Sequence, residues 1–219
     1  MASLSNRDIV ANTKTRACAA RTARRRFKSA SRRASLAMPN HLPPILVLTD
    51  PERLPVDMAL TAGFAPGWGV VYRHFGAPGC EGLAMKLARV CRNKDWRLLI
   101  ANDPELARQV GADGVHWPEA QAHLAKRWAG KFRLMTMSWH QSKPIAKLPR
   151  GIDAALVSTI FPSKSKTATS ALGPRRARKI ARMSRAPLYA LGGINARNAH
   201  SVAGHMGIAF VENSRAFLR

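Results

Sequence analysis

The stretch Pro187-Leu188-Tyr189-Ala190-Leu191-Gly192-Gly193-Ile194, with Asn195 next, decides the fold. A short apolar run ends at two glycines, and the chain restarts as a helix-like segment. That is how a buried parallel strand hands over to a loop passing close to a ligand, because glycine permits positive φ and close backbone approach. A helix beginning at Asn195 would turn its free N–H groups toward the same spot, which suits an anion such as phosphate. A tight strand-to-helix turn with no ligand would use the same residues, so the rest of the chain has to arbitrate.

Working outward, short β-rich runs recur with helix-sized gaps: Ile45–Thr49, Gly69–Phe75, Arg97–Ala101, Gly114–Trp117, Arg133–Ser138, Ala154–Ile160, Leu188–Leu191 and Gly207–Val211. Helical stretches are predicted between them. In Glu81–Asn93 one stripe holds Leu83, Leu87, Val90 and Cys91. Pro104–Val110, Ala120–Trp128, Pro174–Met183 and Ala196–Ala203 are shorter. Pro144 and Pro149 make the fifth connection irregular. Eight strands alternating with helices predict an α/β protein, a small (β/α)8 TIM barrel over residues 41–219. A doubly wound open sheet would usually carry its glycine-rich phosphate loop after the first strand. Here that strand runs into Thr49-Asp50-Pro51.

With 219 residues and 46% hydrophobic content the chain can bury one sizeable core. No apolar run is long enough to span a membrane. Three cysteines, Cys18, Cys80 and Cys91, lack metal-ligand spacing and fit a reducing compartment, so a cytoplasmic location is expected. The net charge is +24, of which residues 1–37 carry +9 and the rest +15. Such charge favours phosphate-bearing partners of any size. No RNA-binding motif accompanies it and few aromatics interleave the basic residues, so nucleic acid is not the expected partner.

Residues 1–40 read as a disordered Arg-rich tail, with almost no apolar periodicity to offset chain entropy. Three origins fit: a start assigned upstream of Met38, an organellar presequence that would imply import, or a basic arm.

In a barrel of this kind the carboxyl ends of the strands carry function. They present Asp50; Arg73 and His74; Asn102 and Asp103; His116; Ser138 and His140; Ser158 through Lys166; Gly192 and Gly193; Glu212 and Asn213. His116 reads as a buried, hydrogen-bonded ring. Trp68, Trp96 and Trp128 read as packing residues, and Met135 and Met137 as core.

Several of these pieces share one family order: Leu48-Thr49-Asp50, Asn102-Asp103, Leu106-Ala107, Gly111-Ala112-Asp113-Gly114-Val115-His116, Ser138-Trp139-His140, Ile160 through Lys166, Leu172-Gly173 and Ala190 through Asn195. From about 45 to 215 the chain resembles the thiamine phosphate synthase/TenI family of small (β/α)8 barrels. The resemblance implies joining of a pyrimidine diphosphate to a thiazole phosphate with release of diphosphate. It implies Mg2+ bound by Asp103, with Asn102 contacting the pyrimidine and Arg73 the diphosphate. Ser163, Ser165 and Lys166 would form a loop touching both substrates, Gly192 and Gly193 would hold the thiazole phosphate, and Ser138 would stand near the reacting centre. Read without the family, Asp103 is equally a helix N-cap before Pro104.

The departures fall on one half of that site. Gln121 stands where the family has a second metal-binding aspartate, and Glu119 would replace it only if the loop shifts. After strand two, Val71-Tyr72-Arg73-His74-Phe75 lacks the family's glutamine and lysine. Glu212-Asn213 replaces small and hydroxyl residues. The expected function is condensation to thiamine phosphate. The alternatives are a thiazole tautomerase-type isomerase using His140 as proton shuttle, and a non-catalytic relative that binds a phosphorylated ligand. Homo-oligomerisation is left open.

Overall fold

The computed structural model describes residues 6–141, 144–163 and 170–211, without the side chains of 6–14 and 16. Eight parallel strands close into a barrel in sequence order. They are β1 Ile45–Leu48, β2 Gly69–Tyr72, β3 Arg97–Ala101, β4 Gly114–Trp117, β5 Leu134–Trp139, β6 Ala154–Val157, β7 Leu188–Ala190 and β8 Gly207–Phe210. Every predicted strand is found, most a residue or more shorter at the mouth. Closure is made by β1 against β8, with Leu46 opposite Ala209.

The strand period of two sorts side chains into two cores. Leu46, Leu48, Val71, Leu99, Leu134, Leu156, Tyr189 and Ala209 fill the barrel interior, and Met38 and Leu42 pack with them. Tyr189 donates its hydroxyl hydrogen to Pro43 O at 2.7 Å, which satisfies a polar atom deep inside. Val47, Val70, Leu98, Ile100, Val115, Met135 and Met137 face outward into the core shared with the helices. Trp68 and Trp96 are buried there. The helices are α1 Asn6–Ala37, α2 Val56–Thr61, α3 Cys80–Asn93, α4 Pro104–Val110, α5 Gly173–Met183 and α6 His200–Ala203. A 3-10 helix, Glu119–Trp128, takes the place of the expected fourth connecting helix.

Two expectations are corrected. Within the segment 1–40 expected as a disordered tail, the described residues 6–37 form one helix. Phe27, Ala30 and Ala34 are fully buried. Phe27 packs on Phe210 with ring centroids 4.8 Å apart, and Trp68 donates from Nε1 to Ser31 Oγ at 3.0 Å. α1 lies against β8 and α6, covering the outer wall of the last strand. Its apolar stripe is short and made mostly of alanines, which register weakly as hydrophobic. Those small side chains let the helix approach closely, and Ala and Arg are strong helix formers. The second correction concerns Ala196–Ala203, where only His200–Ala203 is helical. The preceding residues form a turn closed by the Asn195 and Asn198 side chains.

Candidate active site

A cavity of about 710 Å³ opens at the carboxyl ends of the strands. Arg73, Asn102, Ser138, His140, Ser163, Gly192 and Gly193, all expected from the sequence, line it. Asp103 lies beside it but does not line it. Ser165, Lys166, Glu212 and Asn213 fall outside the described residues.

One wall is cationic. Arg73, one residue past β2, lies across the end of β1. Its N–H donates to Thr49 Oγ1 at 2.9 Å, its Nε to Thr49 O at 2.6 Å and its Nη2 to Asp50 Oδ2 at 3.0 Å. Arg53 donates to the same Asp50 oxygen at 2.8 Å. The Arg53 side-chain hydrogen bond, helped by its N–H and by the charge of Arg73, holds the Asp50 carboxyl down at about 2. Burial lowers the Arg73 guanidinium from its ordinary value and the Asp50 charge opposes this. Arg73 remains a cation, because an arginine is not deprotonated in a folded protein. Arg53 went unread in the sequence. Its signal was its position three residues beyond Asp50 on the same mouth loop.

At the cavity floor His116 joins two hydroxyls. Its Nδ1 lies 2.8 Å from Thr136 Oγ1 and its Nε2 lies 3.1 Å from Ser138 Oγ. Burial, reinforced by repulsion from Arg73 and His140, pushes the imidazole down to about 3. It is neutral near pH 7, and it orients the Ser138 hydroxyl. The buried-ring reading of His116 holds, and the link to Ser138 adds to it.

The Gly192–Gly193 turn after β7, with φ of 93° and 62°, forms another part of the lining. A Cβ on Gly192 would sit 2.8 Å from Thr159 Cγ2, and one on Gly193 would run into the carbonyls of Phe161 and Pro162. Only glycine serves at both positions. Asn198 fixes the turn by donating from Nδ2 to Gly193 O at 2.9 Å and accepting the Asn195 N–H at 2.8 Å. The helix expected to begin at Asn195 begins instead at His200, so no helix terminus faces the cavity from Asn195. Asn102, with φ of 55°, ends β3 in the left-handed region that asparagine tolerates.

His140 is half-exposed. Its N–H donates to Glu119 Oε2 at 2.8 Å and its Nδ1 lies 3.2 Å from the same oxygen, while Gln141 Nε2 donates to Glu119 Oε1 at 2.9 Å. Burial alone would raise the Glu119 carboxyl; these hydrogen bonds prevail and hold it below the usual glutamate value. Asp103 caps α4, its Oδ1 accepting the Leu106 N–H at 2.9 Å. Its Oδ2 lies 3.6 Å from His74 Nε2. Gln121 is exposed on the 3-10 helix.

Magnesium keeps several waters and is held by one or two carboxylates together with substrate phosphates. Asp103 caps α4 through Oδ1 and leaves Oδ2 without a hydrogen bond among the described residues, so it could hold the ion that the resemblance implies. Glu119 is spent on His140 and Gln141, and Gln121 carries no charge, so no second carboxylate joins it. Among the described residues no group of three or more His, Cys, Asp and Glu side chains is placed to hold a metal ion. The expectation that Glu119 could replace the missing ligand meets the same obstacle.

Guanidinium groups and a glycine turn thus line the mouth of a (β/α)8 barrel, the face on which barrels of this class carry their sites. Residues 70–216 match the TMP-TENI family, described as thiamine monophosphate synthase, and the chain belongs to that family. The thiamine-phosphate synthase of Marinobacter nauticus is 31% identical over 167 residues, covering 72% of this chain and 75% of that protein. That of Chlorobium limicola is 31% identical over 180 residues, covering 77% and 84%. The structure of the thiamine phosphate pyrophosphorylase from Pyrococcus furiosus superposes with a TM-score of 0.61 at 24% identity, over 76% of this chain and 84% of that one, and so supports the fold. No helix among the described residues is long and apolar enough to cross a membrane.

Proposed function

We propose that this chain condenses hydroxymethylpyrimidine diphosphate with a thiazole phosphate, giving thiamine phosphate and diphosphate. The observation that carries the reading is that Arg73 and the Gly192–Gly193 turn line one and the same cavity at the barrel mouth. The pyrimidine diphosphate lies against Arg73, with Asn102 at its ring. The thiazole phosphate takes the N–H groups of Gly192 and Gly193. Ser163 also lines the cavity, and the resemblance gives Ser165 and Lys166, outside the described residues, a share in substrate binding.

The C–O bond between the pyrimidine methylene and the diphosphate breaks, and its electron pair leaves with the diphosphate. The thiazole nitrogen lone pair then forms the new C–N bond, leaving a thiazolium. Arg73 and Lys166 stabilise the charge that develops on the leaving group. Ser138, oriented by neutral His116, offers its hydroxyl near the reacting carbon. Asp103 would hold a Mg2+ ion, which when bound would neutralise charge on the diphosphate.

The test is to incubate the full chain with both substrates, with EDTA or with Mg2+, and to assay thiamine phosphate and diphosphate. Arg73→Ala is expected to lower kcat/KM by about a hundredfold, the scale of one lost charged contact to the transition state. No product under either condition would sink the condensation. Exchange of thiazole tautomers that disappears in His140→Ala would then establish the isomerase, and its absence would leave a ligand-binding relative.

A further inference from the structure

Charge is laid out unevenly along the chain, and the fold gathers it. No Asp or Glu occurs between residues 9 and 49 or between 154 and 211, while ten of the twelve acidic residues lie from Asp50 to Asp153. The two acid-free stretches hold eighteen of the 36 Lys and Arg residues. Far apart in sequence, they are neighbours in the barrel, where α6 packs against both α1 and α5. Arg178 of α5 donates from Nη1 to Ser201 O of α6 at 3.2 Å. Arg33 of α1 reaches the loop after α6, where a Cβ on Gly204 would lie 3.2 Å from its Nη2. His205 follows in that loop and is exposed. Burial lowers its imidazole from the ordinary value, and the charges of Arg182, Arg178 and Arg33 lower it further. The helix period sets Arg26 two turns before Arg33 on the same side of α1, and Arg175 two turns before Arg182 on the same side of α5. All four of these arginines are exposed.

This arrangement works against folding. Like charges four residues apart destabilise a helix, and α5 carries two such pairs, Arg175 with Lys179 and Arg178 with Arg182. Charge of one sign gathered on one face adds self-repulsion. A polyanion laid on that face relieves both. A helix lying in a membrane interface presents a continuous apolar face outward. Here Phe27, Ala30, Ala34, Ala177 and Ile180 are buried, and the exposed Leu36 and Met183 stand singly near the helix ends. We propose that the face formed by α1, α5 and the loop after α6 binds the phosphate backbone of a nucleic acid through Arg26, Arg33, Arg175 and Arg182, none of which lines the active-site cavity. The expectation against nucleic acid drawn from the sequence turned on missing recognition motifs. Phosphate contacts carry no sequence information and need no such motif; a basic stripe on one face suffices.

The experiment is fluorescence anisotropy of a labelled duplex oligonucleotide titrated with the full chain, at salt from about 50 mM to about 200 mM. Four phosphate contacts predict that affinity falls about a hundredfold over that range. Arg175→Glu with Arg182→Glu and, separately, Arg26→Glu with Arg33→Glu should each flatten the slope of log K against log salt by about two. Each pair should also weaken binding at least tenfold at the lower salt, on the scale of two lost phosphate contacts. Lys86→Glu with Arg89→Glu makes the same change of charge on α3, which packs with α2 and α4, and should leave the slope unchanged. No binding at the lower salt, an equal loss in the α3 variant, or an unchanged slope in the α1 and α5 variants would each overturn the proposal. So would binding to vesicles containing phosphatidylserine with none to the duplex.

Discussion

Phe27 of α1 and Phe210 of β8 pack ring against ring at 4.8 Å, and Phe210 also lines the active-site cavity. The N-terminal helix therefore backs the wall of the site and is part of the barrel's outer layer. Trp68 joins the same cluster, edge-on to Phe210 at 6.4 Å.

Phe27→Ala should destabilise the protein by about 3 kcal/mol, the usual cost of emptying a buried aromatic site. Removing residues 1–37 should cost more, because Ala30 and Ala34 leave as well and Phe210 and Trp68 meet water. Urea unfolding of the full chain, Phe27→Ala and the truncated chain would show the series. Equal midpoints would mean that α1 contributes nothing. Activity assays therefore belong on the full chain.

Asp50 ties both arginines to β1. Its carboxyl is held at about 2, below the ordinary value near 3.9. A lowered folded value contributes stability that is complete above about pH 4 and is lost as pH falls toward 2. Asp50→Asn should be less stable than the parent at pH 6 and converge with it near pH 2. Thermal melts across that range would show the gap closing; a gap independent of pH would contradict the ion-pair account.

His116 titrates in the opposite sense to a paired histidine. Its folded value is about 3 against an ordinary value near 6.5, so the unfolded chain binds the extra proton. Stability should fall as pH drops below about 6.5 and continue falling toward 3. His116→Gln should flatten that limb, while costing about 2 kcal/mol at pH 7 because Thr136 and Ser138 lose partners in a buried setting. Denaturant midpoints at pH 5 and pH 7 for both proteins would decide it.

Gly193→Ala places a methyl against the carbonyls of Phe161 and Pro162 at a φ of 62°. It should raise the KM for the thiazole phosphate at least tenfold, with a smaller effect on the pyrimidine substrate. Equal loss toward both substrates would point to general unfolding of the mouth.

Strand order was legible because it rests on local alternation and on glycines at element ends. The run from Pro187 to Ile194 announced both β7 and the turn beyond it. The mouth residues followed from that order, since the side of a barrel strand's end is set by topology. Helix α1 was not legible, because its buried stripe of Phe27, Ala30 and Ala34 acquires meaning only against β8. Nor was the metal half of the site. Departures at Gln121, His74 and Phe75 could be seen in the sequence, but not what replaced them.

The chain by itself determined the eightfold βα alternation, the polar mouth and the glycine turn, all of which depend on neighbours within a few residues. Tertiary structure alone decided that Glu119 is spent on His140, that Asp103 is a cap, that Arg53 shares Asp50 with Arg73, and that the buried Nε2 of His74 lies 3.6 Å from Asp103 Oδ2. These are contacts between separate strand ends. Closure of the barrel brings those ends together, and no local pattern in the chain encodes the distance between them.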